Sequence, residues 1–323
     1  MTWYEKLDKA IEVYLPDLPL ERDVPMSRYT SFRIGGPARR LACPKNREQL
    51  VILMGLAREC GAKPFVMGNG TNLLVSDKGL ERLVIRTAGE MCAVKAVDET
   101  TIEADAGIAL ARLALFAQGE SLTGLEFAHG IPGSLGGAVF MNAGAYGGEM
   151  KQVVTEVTVL TEDGIRRISA ENCDFGYRHS AFSDGKSVIL GAKLHLQKGD
   201  RAQIGARMAE LMRKRKASQP LEYPSAGSTF KRPEGYFAGT LIQETGLKGL
   251  TVGGAQVSEK HAGFVINIGG ATCKDVLSLI RQVQDQVMET QGVHLEPEVR
   301  IVGKAKFSVS TMASRWCILP FSS

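Results

Sequence analysis

No run in the sequence approaches the roughly 18 consecutive apolar residues of a membrane-spanning helix, so no membrane partner is expected. The six cysteines (43, 60, 92, 173, 273 and 317) include no CxxC pair, and with five histidines they show no zinc-like spacing. Reduced thiols and the absence of a metal site are the expectation. Residues 1–18, MTWYEKLDKAIEVYLPDL, carry scattered charges and no apolar core, so no secretory leader and a cytoplasmic location are expected. Neither sign of charge dominates. The net charge of +4 is too diffuse to imply a nucleic-acid partner. The one dense basic run, Arg213–Lys216, ends a stretch with Ile204, Met208, Leu211 and Met212 on one helical face. It reads first as a solvated helix end that complements the helix dipole.

What is present is a chain of 323 residues, 44% hydrophobic and 23% charged, long enough for two or three domains of a soluble enzyme. Its 36 glycines cluster near 66–70, 130–148 and 246–270, where backbone approaches backbone or a ligand. From Arg33 onward short strands alternate with helices. Asn46 caps a predicted helix that Gly61 stops, and KPFVM, LERLVIRT and TIEADAG read as strands around a second helix, IALARLALFAQG. Strands fill 151–198. A helix over 202–217 reads as a linker into a second domain. There Val276, Ile280, Val283 and Val287 share one face of a helix started by Thr272 and Asp275 and stopped by Gly292. HLEPEVRIVG reads as the final strand, and no internal repeat is present.

Two glycine-rich loops invite a ligand. Gly68, Asn69, Gly70, Thr71 and Asn72 follow a strand, and their successive amides suit an anion nest or an ordinary tight turn equally. The spacing is neither GxGxxG nor GxxxxGK[ST], which excludes Rossmann and P-loop readings. The second loop, GIPGSLGGAVFMNAGAYGGEM at 130–150, holds seven glycines among apolar residues. Flexible linkers are polar instead, so buried backbone laid against a large flat ligand such as a flavin is the better account. Arg178, in FGYRHSAF, suits either a structural ion pair or a substrate carboxylate. Glu298 lies in LEPEVR, where alternation puts it on the face of Glu296. Ser225 and Ser228 lie in PSAGSTFKRP, which is not a GxSxG elbow, so a hydrolase nucleophile is not expected.

TSFRIGG, GNGTNLLV, GIPGSLGGAVFMNAGAYG, YRHS, PSAGSTFKRP and LEPEVRIVG occur in this order across residues 30–303. Together they make the chain resemble the UDP-N-acetylenolpyruvoylglucosamine reductase family, in its shorter subtype lacking a Tyr-bearing insertion. The family's FKNP stands here as FKRP, with Arg232 in place of Asn.

The resemblance implies an α+β fold: a two-lobed FAD-binding domain of the vanillyl-alcohol-oxidase type and a C-terminal α+β substrate-binding domain. The expected boundaries are an N-terminal helical segment at 1–27, lobes at about 28–90 and 91–200, the C-terminal domain at 201–305 and a tail at 306–323. The resemblance implies flavin contacts from Arg33, from Gly68 to Asn72, from Gly130, Ile131, Pro132, Gly133, Ser134, Gly136 and Gly137, and from Asn142 and Gly144. It implies that NADPH reduces noncovalent FAD, and that hydride then passes from flavin N5 to C3 of an enolpyruvyl group on UDP-N-acetylglucosamine. Arg178 and Glu298 then surround the carboxylate and Ser228 protonates C2, while Ser225 makes a loop hydrogen bond. Arg213, Arg215, Lys216 and Lys231 are candidates for the UDP diphosphate. Neither flavin loop contains the His or Cys that tethers flavin in related oxidases, although His129 adjoins the second. A monomer or weak oligomer is expected.

Overall fold

Asn46 accepts a hydrogen bond from the Gln49 amide and starts helix α2 (Arg47–Glu59), which Gly61 ends in a left-handed turn at φ +71°. In the computed structural model, which describes residues 1–304, this helix packs Leu50, Leu53 and Leu56 under a four-stranded sheet. The sheet runs Leu20–Pro25, Pro37–Ala42, Leu80–Arg86, Pro64–Met67, with an antiparallel first pair and parallel neighbours after it. Helix α1 (Trp3–Tyr14), started by a Thr2–Glu5 capping box, adds Leu7 and Ile11 to the same core. This is the first lobe.

The second lobe is an antiparallel sheet of five strands in the order Gly164–Ser169, Val154–Thr161, Val188–His195, Thr101–Asp105, Val94–Ala96. Helix α3 (Leu110–Gly119) and the short α4 (Leu135–Phe140) bury Leu113, Leu135 and Val139 against it. The predicted linker helix is α5 (Arg201–Ser218). It packs Ile204 and Met208 into the second-lobe core, with Arg213, Lys214 and Lys216 left exposed.

Beyond α5, the strands Ser225–Ser228, Phe264–Asn267, Ala255–Val257 and Thr251–Val252 form an antiparallel sheet backed by α6 (Ala238–Glu244) and α7 (Cys273–Gln291). Val276, Ile280, Val283 and Val287 are fully buried on α7, whose Thr272–Asp275 capping box and left-handed Gly292 stand where the sequence places them. The architecture is α+β throughout.

The final strand is split. Arg300–Val302 pairs in parallel with Leu73–Val75 of the first lobe, whereas residues 296–298 pair with 229–231 of the C-terminal domain through an isolated antiparallel bridge between Pro297 and Phe230. Asp77 reinforces this join by accepting from the Cys273 and Lys274 amides at 2.7 and 3.1 Å, and Ser31 donates to the Ser225 carbonyl at 2.6 Å. Among the described residues no helix is long and apolar enough to cross a membrane, and no cluster of three or more His, Cys, Asp or Glu side chains is placed to hold a metal. The expected tail lies outside the described residues.

Candidate active site

The two glycine-rich loops are brought face to face between the lobes. Asn69 Nδ2 donates to the Pro132 carbonyl at 3.2 Å, and a methyl group on Gly68 would lie 2.0 Å from Ser134 Oγ. A cavity of about 990 Å³ runs along this seam, lined by residues 68–72, by Ile131–Ser134 and by Gly136, Gly137 and Gly144. None of the amides of residues 68–72 donates to another described residue, and Ser134 Oγ is buried without a hydrogen-bond partner. Native proteins rarely leave such groups unpaired, and consecutive free amides form a concave anion site. A methyl on Gly133 or Gly137 would meet nothing closer than 3.8 Å, so these two present bare backbone to the cavity. An aromatic ring system carrying a diphosphate fits this lining.

Gly136 serves packing as well. A methyl there would lie 2.9 Å from Ala106 Cβ, so part of the glycine clustering reflects backbone against protein rather than against ligand.

Three expected flavin contacts do not line the cavity. Arg33 is exposed, in a left-handed position (φ +55°) of the Thr30–Ile34 turn. Gly130 backs onto Arg215, whose Cδ would be 3.2 Å from an added methyl. Asn142 is 1% exposed, with its hydrogen-bonding capacity taken up by the protein. Its Nδ2 donates to Glu149 and to the Gly176 carbonyl, and its Oδ1 accepts from the Lys151 amide. It braces the turn behind the loop. His129 lines neither cavity.

A second cavity of about 420 Å³ opens between the second lobe and the C-terminal domain. Four side chains line both spaces: Arg178, Ser228, His261 and Glu298. Arg178 reaches this point from a strained left-handed backbone, φ +55°, with its guanidinium 5.1 Å from the Tyr177 ring. Its Nε donates to Glu298 Oε1 at 2.6 Å across 120 residues of sequence. The Glu298 amide donates to the Thr229 carbonyl, and its own carbonyl accepts from Asn72 of the first loop. This carboxyl is 12% exposed. Burial pushes its pKa up more than Arg178, opposing, pulls it down. Glu296 is different: it turns to solvent and pairs with Lys231, so strand alternation does not join the two glutamates.

Ser228, at the end of its strand, is exposed and its hydroxyl makes no hydrogen bond among the described residues. Ser225 Oγ accepts from the Gly227 amide within the loop. His261 accepts from the Gly263 amide at Nδ1, which leaves the ring proton on Nε2, and burial holds its pKa down. It is a neutral donor where the two cavities meet.

Of the four basic residues considered for a diphosphate, only Arg215 lines a cavity, the larger one. The small cavity instead presents Arg232 and Lys260. Arg232 stacks its guanidinium 3.9 Å from the Phe237 ring and donates its amide to the Tyr177 hydroxyl at 3.0 Å. Sequence reasoning missed Lys260, His261 and Arg300. For Arg300 a signal existed, since it follows Glu298 by two residues in an extended segment. For the other two none did.

A family model described as the C-terminal domain of UDP-N-acetylenolpyruvoylglucosamine reductase matches residues 219–302, and a second, described as an FAD binding domain, matches 38–169. The curated UDP-N-acetylenolpyruvoylglucosamine reductase of Caldanaerobacter subterraneus subsp. tengcongensis is 49% identical, covering 92% of this chain and 98% of its own. That of Clostridium perfringens is 46% identical, covering 94% of this chain and 100% of its own. The crystal structure of the corresponding reductase from Thermus caldophilus superposes with a TM-score of 0.76 at 40% identity, covering 88% of this chain and 99% of that one. With two glycine-rich loops on one cavity, a second cavity beside it and these relatives in agreement, the chain belongs to the UDP-N-acetylenolpyruvoylglucosamine reductase family, with an FAD-binding domain ahead of its C-terminal domain.

Proposed function

We propose that the protein reduces the enolpyruvyl ether of UDP-N-acetylglucosamine to UDP-N-acetylmuramate for peptidoglycan synthesis, with NADPH as the electron source. The observation that carries this reading is the meeting of two cavities at Arg178, Ser228, His261 and Glu298. Bound FAD supplies the hydride, delivered to C3 of the enolpyruvyl group. The amides of residues 68–72 would hold its diphosphate, and Gly133 and Gly137 would leave its ring room against the backbone.

Addition at C3 turns the conjugated carboxylate into an enolate, whose charge needs donors already in place. Arg178 is fixed for this by Glu298 and Tyr177. The arriving substrate carboxylate competes with Glu298 for that guanidinium. A second anion beside a buried carboxyl favours protonation of Glu298, which then becomes a donor as well. Ser228 gives its proton to C2. A hydroxyl is a weak acid in water, but the acceptor is a strongly basic carbon, and the Ser228 hydroxyl has no competing partner among the described residues. Arg232 and Lys260 face the diphosphate of the nucleotide sugar, so Arg232 takes over the place of the family Asn with added charge.

The test is spectroscopic. The purified protein should be yellow, acid should release its flavin to the supernatant, NADPH should bleach it, and the enolpyruvyl substrate should restore the colour. Failure to bind FAD, or bleached protein that the substrate leaves colourless, would refute the reading.

A further inference from the structure

The flavin cavity lies between two lobes, and three consecutive residues of the second lobe lie at their junction. Asp105 ends the strand Thr101–Asp105, Ala106 lines the cavity, and Gly107 presses on the first lobe. A methyl on Gly107 would lie 2.0 Å from the Thr87 carbonyl oxygen and 2.6 Å from that of Met91, both in the first lobe. Thr87 itself lines the cavity. The Ala106 carbonyl accepts from the amide of Gly136, in the second flavin loop, at 2.8 Å. The position of this three-residue segment therefore sets both the spacing of the lobes and the placement of a flavin loop.

One side chain from the first lobe grips it. Arg47, the first residue of α2, donates from Nε to Asp105 Oδ1 at 2.6 Å and from Nη1 to Glu103 at 3.4 Å. Asp105 is 8% exposed and its other oxygen accepts from the Ala93 amide. The guanidinium is wedged against the backbone of Gly191 on the neighbouring strand, where a methyl would come within 2.6 Å of Nη2. Beside this ion pair, Val188 and Leu190 of the second lobe enter the first-lobe core. Apolar packing allows sliding. An arginine donating to two carboxylates at once, one of them buried, fixes one register.

We propose that Arg47 and Asp105 are positioning residues for the cofactor: their ion pair holds the lobes at the separation that retains FAD, without either side chain touching it. The inference rests on FAD binding and not on the substrate assigned above, so a protein that binds FAD but ignores the enolpyruvyl substrate would leave it standing.

The experiment titrates FAD into apoprotein by flavin fluorescence for wild type, Arg47→Gln, Asp105→Asn and the double variant, with urea unfolding of each apoprotein alongside. Each single variant should raise the FAD dissociation constant roughly tenfold, and the double variant should be no worse than either single, as coupled partners behave. Arg47→Lys keeps the charge but loses the fork, and should give a smaller rise. It decides the matter if the others do not fold. A purely structural role predicts weakened apoprotein unfolding with an unchanged FAD dissociation constant in every folded variant. That result would overturn the proposal.

Discussion

The larger cavity owes its glycine-rich end to backbone and the smaller one is lined by side chains, with Arg178, Ser228, His261 and Glu298 shared where the two meet. Around the flavin seam the polar groups are main-chain amides of residues 68–72, and the shape comes from glycines with open space at Gly133 and Gly137. Around the smaller cavity the titratable side chains include Arg178, Arg232, Lys260, His261 and Glu298, drawn from segments far apart in sequence. A backbone site is fixed once its loops fold, and it tolerates no added volume. A side-chain site depends on the packing of two domains, and single groups within it can be removed without loss of the fold. Substitutions in the two cavities should therefore fail in different ways.

The largest effect belongs to the side-chain site. Ser228→Ala should still be bleached by NADPH at close to the wild-type rate, since the hydroxyl has no part in that half-reaction. Reoxidation by the enolpyruvyl substrate should fall by roughly 10² to 10³, the cost of losing one essential transition-state donor. Stopped-flow absorbance separates the two. Slow reduction with normal reoxidation would instead make Ser228 a nicotinamide or flavin contact and pass the proton to Glu298 or water.

The backbone site is tested by neighbouring glycines. Gly136→Ala drives a methyl to 2.9 Å from Ala106 Cβ and should destabilise the apoprotein by about 1–3 kcal/mol, the usual cost of overpacking. Gly137→Ala meets nothing closer than 3.8 Å and should leave apoprotein stability alone while weakening FAD binding several-fold. Urea melts and flavin titrations of both variants check the pair. Equal losses of stability would erase the distinction between packing and cavity glycines.

A smaller effect should appear in pH dependence, which only the side-chain site has reason to show. Burial holds the Glu298 carboxyl above its ordinary range. Its protonated, donating form is complete below that range and is lost as pH rises through the raised value. Wild-type reoxidation should therefore slow with rising pH across this window. Glu298→Gln, a neutral donor at every pH, should be slower at the low end and flat across it. The same decline in the Gln variant would remove Glu298 from the role.

Legibility in the sequence follows the same division. The helix boundaries at Asn46, Thr272 and Gly292 were readable because caps are local, and both glycine loops because backbone sites need a residue type that stands out. Assigning each glycine was beyond the pattern: Gly136 and Gly137 are adjacent, identical and both on the cavity, yet only Gly136 is also packed tightly against protein. Asn142 lies off the cavity, which was not legible for a related reason, since nothing local shows that its amide is taken up by Glu149, Gly176 and Lys151. Arg178 and Glu298 came only through resemblance to a family, because their meeting is made by tertiary structure across 120 residues. The final strand was read as one piece because alternation was carried through Pro297.

The smallest effect sharpens the comparison from inside one motif. Ser225 and Ser228 begin and end the same four-residue strand, three residues apart. Ser225 Oγ accepts from the Gly227 amide, a partly buried contact at 3.4 Å, near the limit of a hydrogen bond. Its carbonyl, which accepts from Ser31 and ties the strand to the first lobe, does not depend on the side chain. Ser225→Ala should therefore cost less than about 1 kcal/mol of stability, within the net worth of one hydrogen bond. Both half-reactions should stay within about twofold of wild type, because each 1.4 kcal/mol is needed for a tenfold change. Measured beside Ser228→Ala, it holds the loop, its glycine and its basic flank constant and changes only which hydroxyl is missing. A loss of reoxidation in Ser225→Ala comparable to that in Ser228→Ala would mean that strand geometry, and not a proton at Ser228, carries the step.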